Sequence, residues 1–182
     1  MISGLLLAAG AGRRMGKPKA LVDDWLVRSI GVLREGGCDD VLVVLGASAE
    51  EARALLPADQ RVVVAEDWDE GMGASLRVGL DALGPDVGAA VVHLVDLPDV
   101  GADVVARVVS TSSTTGTDSA AGLARAAYHG VPGHPVLLGR DHWDGIMGAA
   151  VGDQGARGYL EAHDVRLVEC GDLAGGADVD RR

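Results

Sequence analysis

A glycine-rich, basic segment near the start of the sequence carries residue types that bind anions. Residues 10–19 contain three glycines and four of the 16 basic residues of the chain, and no Asp or Glu precedes Asp23. Glycines let main-chain N–H groups turn toward an anion, and clustered cations attract a polyanion even to a protein of net charge −11. The segment therefore predicts a polyphosphate-binding loop. The alternative is a tight basic turn on a solvated face.

Two common phosphate-binding loops do not fit this spacing. The three glycines form GxGxxxG, one residue longer than the dinucleotide pattern GxGxxG, and no acidic residue follows in a second strand about 20 positions later. A P-loop needs four residues between its glycines and a Ser or Thr after its lysine, whereas Lys17 precedes Pro18. The spacing therefore disfavours a hydride-transfer enzyme and a P-loop protein.

Asp96 is a second candidate, because it follows an apolar run. Residues 89–95 lead into Asp96, and Pro98 ends the run. Ligands of open α/β sheets collect at the carboxyl ends of the strands, so Asp96 and the glycine loop can share one crevice. Mg²⁺ needs only one or two carboxylates beside substrate phosphates, and Asp96 is a candidate ligand for it. The alternative is that Asp96 caps the next helix, a role for which Asp99 is the better candidate.

The elements that must position these residues alternate along the chain. Apolar runs without polar alternation predict buried strands at residues 2–8, 40–45, 61–65 and 89–95. Helical periodicity predicts helices at residues 25–35, 49–56 and 74–83. The βαβαβαβ succession predicts an α/β fold with a single doubly wound, mostly parallel sheet and helices on both faces.

The second half of the chain is less regular. It predicts a helix at 103–109, a mobile Ser/Thr loop at 110–117, a strand near 120–124, helices from about 140 and 155, and a strand near 165–168. We expect one domain over residues 1–170, followed by a Gly/Asp-rich tail at 171–182 that frays.

Composition excludes several classes of function. Only 3% of residues are aromatic and the chain is acidic, which disfavours stacking on bases and binding to nucleic acid. No apolar run reaches the roughly 18 residues that span a bilayer, and the first arginines follow the first apolar segment, the reverse of signal-peptide order. We therefore expect a cytoplasmic protein without membrane partners.

Residues 7–19, LAAGAGRRMGKPK, resemble the LAAGxSxRMGxPK signature of the MobA-like nucleotidyltransferases, and most closely their molybdenum cofactor cytidylyltransferase branch. The resemblance implies a Rossmann-like nucleotidyltransferase fold. It further implies that Arg14 and Lys19 neutralise a nucleoside triphosphate, while Gly12 stands where the family usually has Ser. The residues that it implies bind the nucleotide are Leu7, Ala8, Ala9, Gly10, Ala11, Gly12, Arg14, Lys19 and Ser75, with Ala8 and Ala9 lining the base pocket.

Three further segments are similar to motifs of the same family. Residues 96–98 resemble its Asp-Met-Pro motif, which implies that Asp96 binds Mg²⁺. Residues 70–80, EGMGASLRVGL, resemble the cytidylyltransferase segment GMxSSLRxGL; with Ala8-Ala9, this implies CTP rather than GTP and a nucleotide contact from Ser75. Without the resemblance, Ser75 would be read as a helix cap.

Two motifs concern the acceptor. Residues 130–135 are similar to the family's GxxGHP motif and residues 152–157 to its GDxGAR motif. The resemblance implies that His134 and Asp153 bind the acceptor and that Asp153 is also a metal ligand. The alternatives are a structural histidine in a Gly/Pro turn and an aspartate that caps a helix near residue 155.

The implied reaction is Mg²⁺-dependent transfer of CMP from CTP to the phosphate of molybdopterin, with release of pyrophosphate and docking to a molybdenum hydroxylase that receives the product. Arg14, Lys19 and Asp96 would be catalytic. A phosphate monoester is mostly dianionic at pH 7, so no general base is needed. The alternatives are a GTP-using or sugar-phosphate nucleotidyltransferase, or a non-catalytic module that binds and delivers the molybdenum cofactor.

Overall fold

The fold is one sheet flanked by helices, seen in a computed structural model that describes residues 1–114 and 119–180. Within those residues the strands are β1 (Ile2–Ala8), β2 (Asp40–Leu45), β3 (Arg61–Val64), β4 (Ala89–Leu94), β5 (Leu123–Tyr128), β6 (Val131–Gly139) and β7 (Arg166–Glu169). The α-helices are α1 (Trp25–Glu35), α2 (Ala49–Ala54), α3 (Met72–Asp81), α4 (Ala102–Thr114), α5 (Trp143–Ala149) and α6 (Arg157–Glu161).

The sheet order confirms the predicted doubly wound topology. The strands lie in the order β3-β2-β1-β4-β6-β5-β7. Strands β1 to β4 pair in parallel, β6 is antiparallel to both of its neighbours, and β7 returns parallel to β5. The sheet is therefore mostly parallel, and β1 and β4 are adjacent at its centre.

Two aliphatic layers cover the two faces of the sheet. Alternate residues of β1 point to opposite faces, so Leu6 packs with α1 and α4 while Leu5 packs with α3, α5 and α6. The side chains that α1 presents to the sheet include Leu26, Ile30 and Leu33. Because β1 and β4 are covered on both faces, their side chains are almost completely removed from water.

The second half of the sheet differs from the sequence prediction. Strand β5 begins at Leu123 rather than near residue 120, and β6 was not predicted, since Gly133 and the two prolines around it indicate a turn. Prolines cannot donate to a strand ladder, but the apolar residues 136–139 pair with β4 and carry β6 across the sheet. His134 therefore lies within a strand rather than in a turn.

The predicted Ser/Thr loop at 110–117 is wrong for its first five residues, which belong to helix α4. The hydroxyls of Ser110, Thr111 and Ser112 each donate to the carbonyl three residues earlier, at 2.7–2.8 Å. Their hydrogen bonds are thus satisfied inside the helix, although such residues favour turns in isolation. Residues 115–117 of that prediction lie outside the described part of the chain.

Residues 171–180 pass close to the carboxyl end of β4. The N–H groups of Gly175 and Gly176 donate to Asp99 Oδ2 at 2.8 and 3.1 Å, so Asp99 holds this segment rather than capping a helix. The Val179 N–H donates to the Asp96 carbonyl at 3.0 Å. The fraying expected for residues 171–182 stays a prediction, and these contacts oppose it for the described residues.

None of the helices in the described ranges is long and apolar enough to cross a membrane.

His93 on β4 is a buried polar residue in the aliphatic core. It is 1% exposed, and neither ring nitrogen has a hydrogen-bond partner among the residues that the structure describes. Burial, followed by the electrostatic influence of His134 and Arg28, lowers the pKa of His93 to about 3. The imidazole is therefore neutral in the folded protein.

We expect His93 to make the protein sensitive to mild acid. Below pH 6.5 the unfolded chain binds a proton on this histidine that the folded chain does not, so the free energy of unfolding falls as pH decreases toward 3. His93→Leu should remove about 1.5 kcal/mol of the loss between pH 6.5 and 5. Urea unfolding of both proteins across this range checks the difference. An identical pH dependence would contradict the burial of a neutral His93.

Candidate active site

The glycine loop and Asp96 leave the same edge of the sheet because β1 and β4 are adjacent and parallel. Leu7 pairs with Leu94 in the register of these strands. The loop begins after Ala8, and Asp96 lies two residues beyond the end of β4. Carboxyl ends of neighbouring parallel strands form the usual ligand crevice of such folds.

Gly12 closes the loop onto itself. Its φ is +59°, and its carbonyl accepts from the N–H groups of Met15 and Gly16 at 2.9 and 3.0 Å. A Cβ at Gly12 would collide with the Lys17 carbonyl. Only glycine fits this approach, which brings the chain back so that Lys19 enters the crevice.

Lys19 is the electrostatic centre of the site. Its Nζ contacts Asp96 Oδ2 and donates to Asp180 Oδ1 at 2.7 Å, and its side chain is 18% exposed. Burial lowers the pKa of Lys19, but the hydrogen bonds and charges of Asp180 and Asp96 outweigh it, so the pKa is raised overall. The hydrogen bond from Lys19, followed by its charge, lowers the pKa of Asp180. Both groups are therefore charged at neutral pH.

A cavity of about 430 Å³ lies above this ion pair. It brings together the whole set of residues for which the sequence implied a nucleotide contact: Leu7, Ala8, Ala9, Gly10, Ala11, Gly12, Arg14, Lys19 and Ser75. Asp96 and Asp153 line it too. The Arg14 side chain is 68% exposed at the rim, 3.5 Å from Asp180. Apart from His134, the predicted site residues therefore share one cavity.

Ser75 reaches the cavity from within helix α3. The helix begins at Met72 after Gly71, so the capping interpretation of Ser75 is wrong. Ser75 is 4% exposed and lines the cavity wall. Ser75 therefore lies inside the helix at the cavity wall and not at the helix N-terminus.

Asp153 lies in a short 3-10 turn, residues Gly152–Gln154, that packs against the start of α3. Gly71 has a φ of +113°, and a Cβ there would lie 2.6 Å from Asp153 Oδ1 and 2.5 Å from the Gly152 carbonyl carbon. Helix α6 begins later, at Arg157 after Ala156, so Asp153 does not cap it. The turn therefore directs a carboxylate toward the cavity.

His134 lies in a second cavity of about 590 Å³, which shares Leu7, Met72 and Asp153 with the first. Burial, followed by the charge of the nearby Arg125, lowers the pKa of His134 to about 4. The imidazole is therefore neutral at pH 7. The shared walls make the two cavities neighbours rather than a single crevice.

Sequence reasoning missed two carboxylates of the C-terminal segment. Ligand oxygens of Asp96, Asp178 and Asp180 lie within 4.8 Å of one another, an arrangement that could hold a divalent cation. The signal was an Asp-Val-Asp spacing at 178–180, but the surrounding Gly and Asp indicated a frayed tail instead.

These features define a class: an α/β protein whose cavity, at the carboxyl edge of its strands, is lined by a glycine-rich loop, basic side chains and carboxylates. Comparison with known sequences makes the class specific. Residues 4–167 match the MobA-like NTP transferase domain, and the chain belongs to that family.

Three known proteins are similar to this chain. Nicotine blue oxidoreductase of Paenarthrobacter nicotinovorans is 36% identical, over 98% of this chain and 92% of its own. Molybdenum cofactor guanylyltransferase of Rhodobacter capsulatus is 32% identical over 80% and 67%. The crystal structure of Rv0371c from Mycobacterium tuberculosis H37Rv has a TM-score of 0.81 at 30% identity over 99% and 93%, and its complex with manganese has a TM-score of 0.77 at 28% identity over 98% and 93%.

Gly12→Ala should destabilise the protein, because alanine at this φ meets the Lys17 carbonyl. We expect a loss of about 1–3 kcal/mol in the free energy of unfolding. Gly10→Ala is the matched control in the same loop, since no described atom lies within 4 Å of the Cβ that it would add. It should change stability by less than about 0.5 kcal/mol. Equal losses in chemical denaturation would contradict the loop geometry.

Proposed function

We propose that this protein transfers CMP from CTP to a phosphate monoester, the phosphate of molybdopterin, and releases pyrophosphate. The observation that carries the proposal is the contact between Lys19 and Asp96 inside a cavity floored by the glycine loop. A cation for phosphates and a carboxylate for a metal ion thus stand next to each other. Nucleotidyl transfer is the chemistry that uses this pair.

The chain's own groups would hold and orient the triphosphate. Main-chain N–H groups of the glycine loop and the cations of Arg14 and Lys19 would bind its phosphates and stabilise the charge that builds on the leaving pyrophosphate. An acceptor phosphate oxygen would bond to the α-phosphorus while the bond from that phosphorus to the bridging oxygen breaks. Positioning and charge neutralisation supply most of the catalysis in such a step.

Asp96 fits a divalent metal ion, because its carboxylate is fixed at the end of β4 and faces the cavity. When bound there, Mg²⁺ would neutralise phosphate charge. Asp153 is the proposed second ligand, since it lines the same cavity. The manganese complex of Rv0371c supports a divalent ion in a relative of the same fold.

The second cavity is the proposed place for the body of the acceptor. It adjoins the nucleotide cavity at Asp153, so an acceptor lying there could present its phosphate to the first cavity. His134 is neutral and would act through hydrogen bonds rather than by charge. The proposed downstream partner is a molybdenum hydroxylase that receives the product in the cytoplasm. The relative named molybdenum cofactor guanylyltransferase supports an acceptor of this kind.

The choice of CTP depends on two small segments. Ala8 and Ala9 line the cavity where guanylyl-transferring relatives tend to have Ala-Gly-Gly, and Ser75 belongs to the cytidylyltransferase-like segment. The guanylyltransferase relative favours GTP instead, which is therefore the competing donor.

A second candidate function is an oxidation–reduction reaction of a small molecule. It is favoured by one observation: the relative that is 36% identical over 98% of the chain is named an oxidoreductase. In that case the first cavity would hold the phosphates of a nicotinamide dinucleotide, and a hydride would pass to a ligand in the second cavity. The GxGxxxG spacing argues against this cofactor.

Purified protein incubated with molybdopterin and each of the four nucleoside triphosphates should release pyrophosphate fastest with CTP and only with a divalent metal ion. The physical reason is that the phosphates need both Lys19 and a metal ion to neutralise their charge. Pyrophosphate detection and mass spectrometry of the product measure the outcome. Faster turnover with GTP would contradict the base assignment. Oxidation of NADH or NADPH by a small-molecule acceptor, without pyrophosphate from any triphosphate, would favour the second candidate.

Asp96→Asn should lower metal-dependent turnover about 10²–10³-fold, since the amide keeps the shape of the side chain but loses the charge that holds the metal ion. Initial rates at saturating triphosphate measure this loss, and far-UV circular dichroism reports folding. Asp103→Asn, in the first turn of α4 and outside the cavity, is the matched control and should keep the wild-type rate. Unchanged turnover in Asp96→Asn would refute the metal role.

A further inference from the structure

The C-terminal segment, residues 171–180, enters the cavity that the proposed function assigns to the triphosphate. It leaves β7 and is held where Gly175 and Gly176 donate to Asp99 Oδ2. Beyond that point, the Val179 N–H donates to the Asp96 carbonyl, and Asp180 lines the cavity. The segment therefore runs from a fixed anchor to the phosphate-binding cations.

Asp180 pairs with both cations proposed to bind the triphosphate. Its carboxylate lies 2.7 Å from Lys19 Nζ and 3.5 Å from Arg14 Nη1. A carboxylate and a phosphate group compete for the same N–H donors, since both are anions that accept charge-assisted hydrogen bonds. A triphosphate cannot use these donors fully while Asp180 holds them.

We propose that residues 177–180 are an autoinhibitory segment, whose Asp180 occupies the polyphosphate subsite in the free protein and leaves it when a nucleoside triphosphate binds. The inference rests on the proposed function, because it takes the same cations to be the phosphate site. The segment pivots after Gly176, which packs against the ring of Tyr128 and has a φ of +68°.

The contacts of the segment are weak enough for a triphosphate to displace it. The Asp180 side chain is 43% exposed, so water and salt weaken its attraction to Lys19. One carboxylate carries a single charge, whereas a triphosphate carries several and also receives the loop N–H groups. The triphosphate therefore wins at sufficient concentration, and its apparent affinity is reduced by the fraction of protein in which the segment is bound.

The nearby carboxylates of Asp96 and Asp178 add repulsion to the closed arrangement. Their ligand oxygens and those of Asp180 lie within 4.8 Å of one another, with Lys19 as the shared cation. Removing Asp180 relieves this crowding, while Lys19 remains paired with Asp96. A segment that supplied essential metal ligands would show the opposite behaviour, since its loss would weaken metal-dependent binding.

Binding of inorganic tripolyphosphate in the absence of divalent metal tests the competition directly. Isothermal titration calorimetry should show about three- to tenfold tighter binding to Asp180→Asn than to the wild type, because the substitution removes one partly exposed carboxylate from its ion pairs with Lys19 and Arg14. Asp172→Asn is the matched control: it changes another carboxylate of the same segment, which pairs with Arg107. It should bind as the wild type does. Unchanged or weaker binding to Asp180→Asn would overturn the proposal.

Binding of CTP in the presence of magnesium distinguishes an inhibitory role of Asp180 from a role as a metal ligand. MgCTP should also bind Asp180→Asn more tightly than the wild type. If magnesium reversed the order, so that Asp180→Asn bound MgCTP more weakly, Asp180 would be a metal ligand and the proposal would be wrong.

Hydrogen exchange reports the movement of the segment itself. The Val179 N–H should exchange faster when the wild type is saturated with tripolyphosphate, because displacement breaks its bond to the Asp96 carbonyl. Slower or unchanged exchange would show that the segment stays in place or closes over the ligand, and would overturn the proposal.

A third variant distinguishes failure of this inference from failure of the proposed function. Lys19→Ala should weaken tripolyphosphate binding. If it does and Asp180→Asn binds as the wild type does, only the autoinhibitory segment is wrong. If Lys19→Ala leaves the affinity unchanged, the phosphate site and the inference both fail.

Discussion

The geometry of the site depends on the parallel pairing of β1 and β4. Because these two strands are adjacent and run in the same direction, the loop after one and the carboxylate after the other must emerge side by side. The Lys19–Asp96 contact is the consequence of that pairing. A half-buried lysine between two aspartates is stable only because each charge has a partner, so the cavity keeps a charged floor in an otherwise aliphatic protein.

The backbone of the glycine loop and the charged side chains of Arg14 and Lys19 contribute differently to the site. Gly12 allows the chain to turn back on itself, and this turn places Lys19 over the end of β4. The loop thus provides N–H groups and direction, while Lys19 and Arg14 provide charge. Asp180 is placed where it meets that charge in the free protein. The cations of the proposed triphosphate site are therefore the same ones that pair with the proposed autoinhibitory segment.

The first half of the fold was predictable from local pattern, whereas the rest depends on distant contacts. Strands β1 and β4 are continuous apolar runs, and the loop between β1 and α1 has a distinctive composition. The existence of these elements, and a crevice shared by the loop and Asp96, therefore followed from the sequence, whereas the strand order did not. Strand β6 was not predictable, since Gly133 and its flanking prolines imitate a turn and only pairing with β4 makes the segment extended. The prediction of a loop at the Ser/Thr end of α4 was wrong for a similar reason, because its hydroxyls find hydrogen-bond partners within the helix.

The residues of the site were also predictable only where local pattern indicated them. Asp96 was identifiable at the end of a strand, but Asp180 is brought to Lys19 from 161 residues away.

The turn that carries Asp153 has one further consequence. It forms part of the wall of both cavities and packs against Gly71 at the start of α3 with no room for a side chain between them. A molecule that binds in one cavity and shifts this turn also changes the shape of the other cavity. Binding in either cavity is then thermodynamically linked to binding in the other, and the coupling free energy is the same in both directions. A two-substrate protein could obtain ordered binding from this shared partition, without a moving domain.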